Sequence, residues 1–178
     1  MLTPGKASPG LLFSSFLFRI DLFTEEELKA FWETRFGKSF SYIPEFNPLT
    51  DYYSKEMGNP LSRIFFLTTR PYPRDSLLKV KLESLEWENN WAQDQKRRVN
   101  VDIGFLSLEN FLLATTKNYS HRVYLGQNIF ADLTYYFHQG SLQSFDWTYP
   151  DFVDPAKKEF LEWGRGFLLN SLANNTEQ

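Results

Sequence analysis

Between Lys96 and Asp151 the chain sets charged and hydrogen-bonding residues into segments that otherwise read as strand and core: Arg98, Asn100, Asp102, Lys117, His121, Arg122, Asp132, Thr148, Tyr149 and Asp151. Each type suits a task. A cationic side chain at Arg98, Lys117 or Arg122 holds a carboxylate or phosphate. Asn100, Thr148, Tyr149 and Asp151 offer further hydrogen bonds to a bound molecule. Asp102 serves as a base or magnesium ligand, and His121, of the residue type that titrates nearest neutrality, is the natural general acid or base. His121 and Asp102 are therefore the candidate catalytic groups, and the others line a candidate binding site. An uncompensated buried ion costs several kcal/mol, against the roughly 5–15 kcal/mol that holds a whole domain folded. These side chains must pair with one another, face water or hold a ligand.

Each has a plainer role beside the chemical one. Arg98, Asn100 and Asp102 alternate with Val99, Val101 and Ile103, so a strand here has one polar and one apolar face. That polar face lines a pocket, or it lies in water with Arg98 paired to Asp102. His121 and Arg122 are neighbours on a predicted strand and point to opposite faces, so at most one joins a given site. His138 falls at a turn. Lys117 binds an anion at a loop, or sits at a helix end whose dipole its charge suits. Trp147-Thr148-Tyr149-Pro150-Asp151 either walls a ligand or packs in the core with Asp151 capping a turn.

Familiar motifs give little. Gly37-Lys38-Ser39 resembles the tail of a phosphate-cradling loop, but Trp32 stands where its first glycine belongs, and the triplet ends a predicted helix instead of opening one. Thr116-Lys117-Asn118 is not a guanine-recognition sequence. The two histidines lack zinc spacing, and Asp51, Glu56, Asp102 and Asp132 lie in no recognisable cation loop, so no metal site is assigned. No cofactor is indicated.

The elements that must position these residues are marked by their ends. Leu11 to Phe18 reads as a buried strand. Thr24-Glu25-Glu26-Glu27 is a capping box opening a helix that Gly37 ends. Phe40 to Phe46 reads as a strand bent by Pro44, Thr50 to Met57 as a short helical piece, and Arg63 to Thr69 as a third strand. Asp75 is suited to cap a helix running to about Trp91, with Leu78, Leu82 and Leu85 at helical spacing. The strand from Lys96 to Ile103 follows, then a short helix from Ser107 through Leu113. Tyr119 to Leu125 and Ile129 to Phe137 form a hairpin around a three-residue loop, and a last strand ends near Trp147. Asp154 and Pro155 open a final helix, whose Gly164 and Gly166 permit close packing. This succession is that of an α+β protein: a ferredoxin-like split βαβ sheet with an added antiparallel meander and a C-terminal helix. Residues 1–10 read as a flexible leader and 11–178 as a single domain.

Composition bounds the function. The 178 residues are 42% hydrophobic and 18% aromatic, enough for a large core, and cysteine is absent, which excludes thiol nucleophiles, disulfides and zinc–thiolate sites. The net charge of −3 argues against a nucleic-acid partner. Leu11 to Phe18 falls far short of the roughly 20 residues that cross a bilayer, and no signal peptide is recognisable. A cytoplasmic protein without a membrane partner is expected, with its oligomeric state open.

Five ordered motifs carry a resemblance: Thr50-Asp51-Tyr52-Tyr53 through Glu56-Met57-Gly58, Arg97-Arg98-Val99-Asn100-Val101-Asp102, Ala114-Thr115-Thr116-Lys117, Ser120-His121-Arg122-Val123-Tyr124-Leu125-Gly126 and Trp147-Thr148-Tyr149-Pro150-Asp151. From Leu11 onward the chain resembles the bacterial domain of unknown function 4416 family. It departs from that pattern at Ile103, Asp132 and Phe152, where Pro, Glu and Tyr are usual. The resemblance implies a small bacterial protein and brings no activity with it. A GTP-binding label sometimes accompanies such proteins, and the residues do not support it.

Three readings follow. The first is an enzyme or binding protein for a small anionic metabolite, with Arg98, Lys117 and Arg122 supplying positive charge and His121 moving a proton. The second is an interaction or scaffold module using aromatics around Tyr52, Tyr53 and Trp147. The third, RNA binding through Lys96-Arg97-Arg98, rests on three adjacent basic residues alone.

Overall fold

The structure is a computed structural model and describes residue 5, residues 7–44 and residues 50–174, with the side chains of Thr50 and Asp51 left aside. Strand and helix alternate at the start: β1 (Leu11–Arg19), α1 (Glu25–Phe36), β2 (Ser39–Tyr42), α2 (Thr50–Met57), β3 (Leu61–Thr68), α3 (Ser76–Trp91) and β4 (Val99–Leu106). A meander follows, made of β5 (Asn110–Thr115), β6 (Arg122–Gly126), β7 (Ile129–His138) and β8 (Ser141–Ser144). It is closed by α4 (Pro150–Val153) and α5 (Pro155–Asn174). The sheet runs β2-β3-β1-β4-β5-β7-β6, with β8 also on β7. All its pairings are antiparallel. The first four strands have the order a split βαβ requires, since β3 lies between β1 and β2.

Both faces of β1 are covered, which is why its sequence is apolar without alternation. Leu12, Phe16 and Phe18 join Leu28 and Trp32 of α1 and Val80 and Trp87 of α3 in one cluster. Leu11 and Phe13 join Phe65, Phe152, Leu161 and Leu168 in the other, under α4 and α5. Gly164 allows α5 to lie close to the sheet, because a Cβ there would be 2.8 Å from Leu67 Cδ1; Gly166 has open space around it.

The capping box forms as expected: Glu27 N donates to Thr24 Oγ1 at 3.1 Å and Thr24 N to Glu27 Oε2 at 2.8 Å. Gly37 closes α1 at φ 78. Ser39, the end of the phosphate-loop-like triplet, donates to Glu33 Oε1 and starts a strand. Asp154 Oδ1 accepts from Ala156 N at 2.8 Å, opening α5.

Several expectations are corrected. Ser107 to Leu113 is not a helix. Ser107 Oγ accepts from the Glu109 and Asn110 amides, closing a tight turn, and Asn110 onward pairs with β4 and β7 as β5. Asp75 makes no capping hydrogen bond. The 6/7 hairpin turns on two residues, Gln127 and Asn128 at φ 48 and φ 60, because Gly126 still belongs to β6. The second strand stops at Tyr42, and Phe46 lies outside the described residues. Just before β1, Gly10 exchanges backbone hydrogen bonds of 3.0 and 2.7 Å with Tyr72.

Candidate functional site

Strands β4 and β5 are partners only from Ile103↔Ala114 to Leu106↔Phe111. The earlier half of β4 stays on β1, while the chain after Thr115 leaves the ladder, so the sheet forks. At the fork Val101, paired with Phe16 of β1 on one side, has no strand on the side where β5 would continue. α3 supplies one: Val101 N donates to Glu88 Oε1 at 2.5 Å, and Lys81 Nζ donates to Val101 O at 3.0 Å. A cavity of about 410 Å³ occupies this opening, walled by Tyr53, Arg63, Asp102, Lys117, Asp132 and Asp151 among others.

Strand register explains the convergence. Leu17 faces both Arg63 and Asn100, Ser15 faces Asp102, and Asp132 faces both Leu113 and Arg122. Residues opposite one another share a face, so these side chains rise together beneath α4, which carries Asp151.

Arg63 is the centre of the first cluster. It is 2% exposed, and its Nη1 donates to Ser15 Oγ at 2.8 Å. Asp102 Oδ2 lies 3.7 Å from Nη1 and Asp151 Oδ2 lies 3.2 Å from Nη2. The second approach is an ion pair outside hydrogen-bond geometry, so Nε and Nη2 donate no hydrogen bond among the described residues. Arg97 grips Glu56 with two hydrogen bonds of 2.6 and 2.7 Å and donates to Asn100 Oδ1, while Asn100 donates to Asp102. That grip raises the Arg97 pKa and lowers that of Glu56. Burial, reinforced by the Asp102 charge, pushes the Tyr53 hydroxyl up to about 12. Burial also raises the Glu88 carboxyl against the pull of the Val101 amide, Lys81 and Arg97.

Arg122 is the centre of the second. Its Nε donates to Asp132 Oδ2 at 2.7 Å, Nη1 to Lys117 O at 2.9 Å and Nη2 to Tyr149 Oη at 2.5 Å. His121 Nε2 lies 3.5 Å from the same Asp132 oxygen, and its ring is stacked between Tyr119 and Trp147. Asp132 Oδ1 and Asp151 Oδ1 are buried and accept no hydrogen bond among the described residues. Each such group costs about 1–3 kcal/mol, more when charged.

Of the residues singled out by sequence, Asn100, Asp102, Lys117, Tyr149 and Asp151 line the cavity, and Asp132 does too. Arg98 does not. β4 begins only at Val99, so alternation does not extend back to Arg98, whose charge reaches Asp21 instead; Arg97 takes the place on the wall. Arg122 and His121 stand behind Asp132. The expectation that they part to opposite faces is corrected, because β6 begins at Arg122 and His121 belongs to the turn before it. Thr148 is tied into the chain turn, accepting from Phe145 N and donating to Thr134 O. Arg63, Lys81, Glu88 and Arg97 were missed. Lys81 and Glu88 had a signal, being seven apart on the stripe of Leu77, Val80, Ser84 and Trp87 that α3 buries. Among the described residues no group of three or more His, Cys, Asp or Glu could hold a metal ion.

Lys157 lies behind Asp151, 1% exposed, with an unpartnered Nζ 5.7 Å from the Phe65 ring. Burial lowers its pKa, Arg63 adds to that, and Asp151 and Asp154 oppose it. The folded protein thus holds this proton less tightly than the unfolded chain. The cost is full below the depressed folded pKa and is relieved as pH rises from there toward the ordinary lysine range. Lys157→Met is expected to stabilise the protein by about 1–3 kcal/mol at neutral pH, with the advantage shrinking as pH rises. Urea melts at successive pH values check this; an advantage that does not change with pH contradicts it.

An α+β protein whose antiparallel sheet parts around a buried polar cavity is the class that fold and site define. The chain belongs to the family described as Domain of unknown function (DUF4416), whose family model matches residues 8–167, a span that contains every wall of the cavity. Neither a curated protein nor a solved structure matches the chain. Among the described residues no helix is long and apolar enough to cross a membrane.

Proposed function

We propose that the fork binds a small metabolite through a phosphate or carboxylate group received by Arg63. The observation that carries this reading is a guanidinium 2% exposed on the cavity wall, two of whose nitrogens make no hydrogen bond among the described residues. A guanidinium edge matches an oxyanion in two parallel hydrogen bonds. Lys117 at the exposed rim adds a further positive charge, while the charges of Lys81 and Arg97 on the walls are matched by Glu88 and Glu56. The cavity volume of about 410 Å³ is within the range of small-molecule sites. In this reading Asp102, on the wall, takes a proton from the ligand, whereas His121 meets the cavity through Asp132.

A thermal-shift panel of inorganic phosphate, phosphorylated metabolites and small carboxylates tests the reading. A ligand at about 100 times its Kd adds about 2.7 kcal/mol, which for a chain of this size moves Tm by about 5–11 °C. Lys117→Gln, at an exposed position, is expected to weaken the effect and reduce its dependence on salt. No stabilisation by any anion at millimolar concentration would overturn the proposal.

A further inference from the structure

We infer that the molecule held at Arg63 also presents hydroxyl groups to Asp132 and Asp151, so that the ligand is a sugar or polyol bearing one phosphate or carboxylate. This rests on the anion reading above and goes further by asking what else the cavity leaves unanswered. Among the described residues Arg63 offers two donors that make no hydrogen bond, while Asp132 Oδ1 and Asp151 Oδ1 are two acceptors that receive none, all buried and all on residues of the same wall. A carboxylate only accepts, so an oxyanion answers the guanidinium and leaves both aspartates as they were. The ligand must bring donors as well.

Charge decides which donors. Asp132 already has Arg122 Nε at 2.7 Å and His121 Nε2 at 3.5 Å, and Asp151 has Arg63 Nη2 at 3.2 Å. A carboxylate whose charge is already matched gains little from an ammonium, yet its free lone pairs still accept a neutral O–H. The whole wall is balanced in the same way, with Arg63, Lys81, Arg97 and Lys117 set against Glu88, Asp102, Asp132 and Asp151. Such a balance suits a single anionic group and leaves no excess field for a triphosphate. Tyr52, Tyr53, Tyr149 and Phe152 also line the cavity, giving ring surfaces against which the C–H face of a sugar packs.

Matched ligand pairs test this by titration calorimetry: glucose 6-phosphate and ribose 5-phosphate against butyl phosphate, and gluconate against butyrate, with inorganic phosphate and glucose as references. A site built to hydrogen-bond hydroxyls rejects analogues without them, so the hydroxylated member should bind at least about tenfold tighter. Whether the phosphate or the carboxylate series binds identifies the anionic end. Asp151→Asn should shrink the preference to less than about threefold; should that variant not fold, the wild-type pairs decide alone. Butyl phosphate binding as tightly as glucose 6-phosphate overturns the hydroxyl inference and leaves the anion reading standing. Glucosamine 6-phosphate binding tenfold tighter than glucose 6-phosphate would assign an ammonium donor instead. Glucose binding as tightly as its phosphate, or no binding in any arm, removes the anion reading and this inference together.

Discussion

Arg63→Met is expected to cost about 3–5 kcal/mol of folding stability, because it leaves the buried Asp151 without its nearest cation. The methionine fills most of the aliphatic volume, so the loss comes chiefly from the uncompensated carboxylate and from Ser15 Oγ, which loses its donor. In a chain of this length the fall in Tm is about 6–20 °C. Pairing the change with Asp151→Asn removes the stranded charge and should recover a good part of the loss, a coupling in the range of about 0.5–3 kcal/mol. The double variant also separates folding from binding: it should melt closer to the wild type and show no stabilisation by any anion. Urea denaturation of the two single variants and the double measures the coupling. A single variant within about 1 kcal/mol of wild type would mean that Arg63 is not the cation on which this cluster depends.

The succession of elements along the chain as far as β4 was legible from boundaries such as the Thr24 capping box and the Gly37 end and from the unbroken apolar run of β1, whereas the order of the strands across the sheet follows only from their pairing. The polar site was legible in part. Alternation placed Asn100 and Asp102 on one face correctly, and failed at Arg98 because the two-residue period holds only inside the strand. Arg63 looked like one more residue of an apolar strand; its role appears once pairing through Leu17 sets it opposite Asn100. The fork itself has no local signature, since it depends on where β5 stops and on donors and acceptors that reach Val101 from 20 and 13 positions away on α3. At Ser107, helical composition lost to a turn in which one serine hydroxyl takes two amides, a choice decided by pairing with β4 and β7.

The second cluster should be as sensitive as the first. Among the described residues Arg122→Met leaves Asp132, 1% exposed, with His121 at 3.5 Å as its one basic neighbour in ion-pair range, and the expected cost is again about 3–5 kcal/mol. Three acceptors lose their donor together: Asp132 Oδ2, the Lys117 carbonyl and the Tyr149 hydroxyl. Those bonds tie the loop after β5 and the start of α4 to β6, so the variant should also show faster amide exchange at Lys117 and Tyr149. Arg122→Lys keeps a charge near Asp132, but a single ammonium lacks the planar fork that reaches all three acceptors, and it should recover less than half of the loss. Arg122→Met with Asp132→Leu replaces the pair by apolar side chains and should be more stable than Arg122→Met alone, since no buried charge is left over. If the double variant instead shows the sum of two independent losses, the bond between Arg122 and Asp132 is not what holds this wall of the cavity.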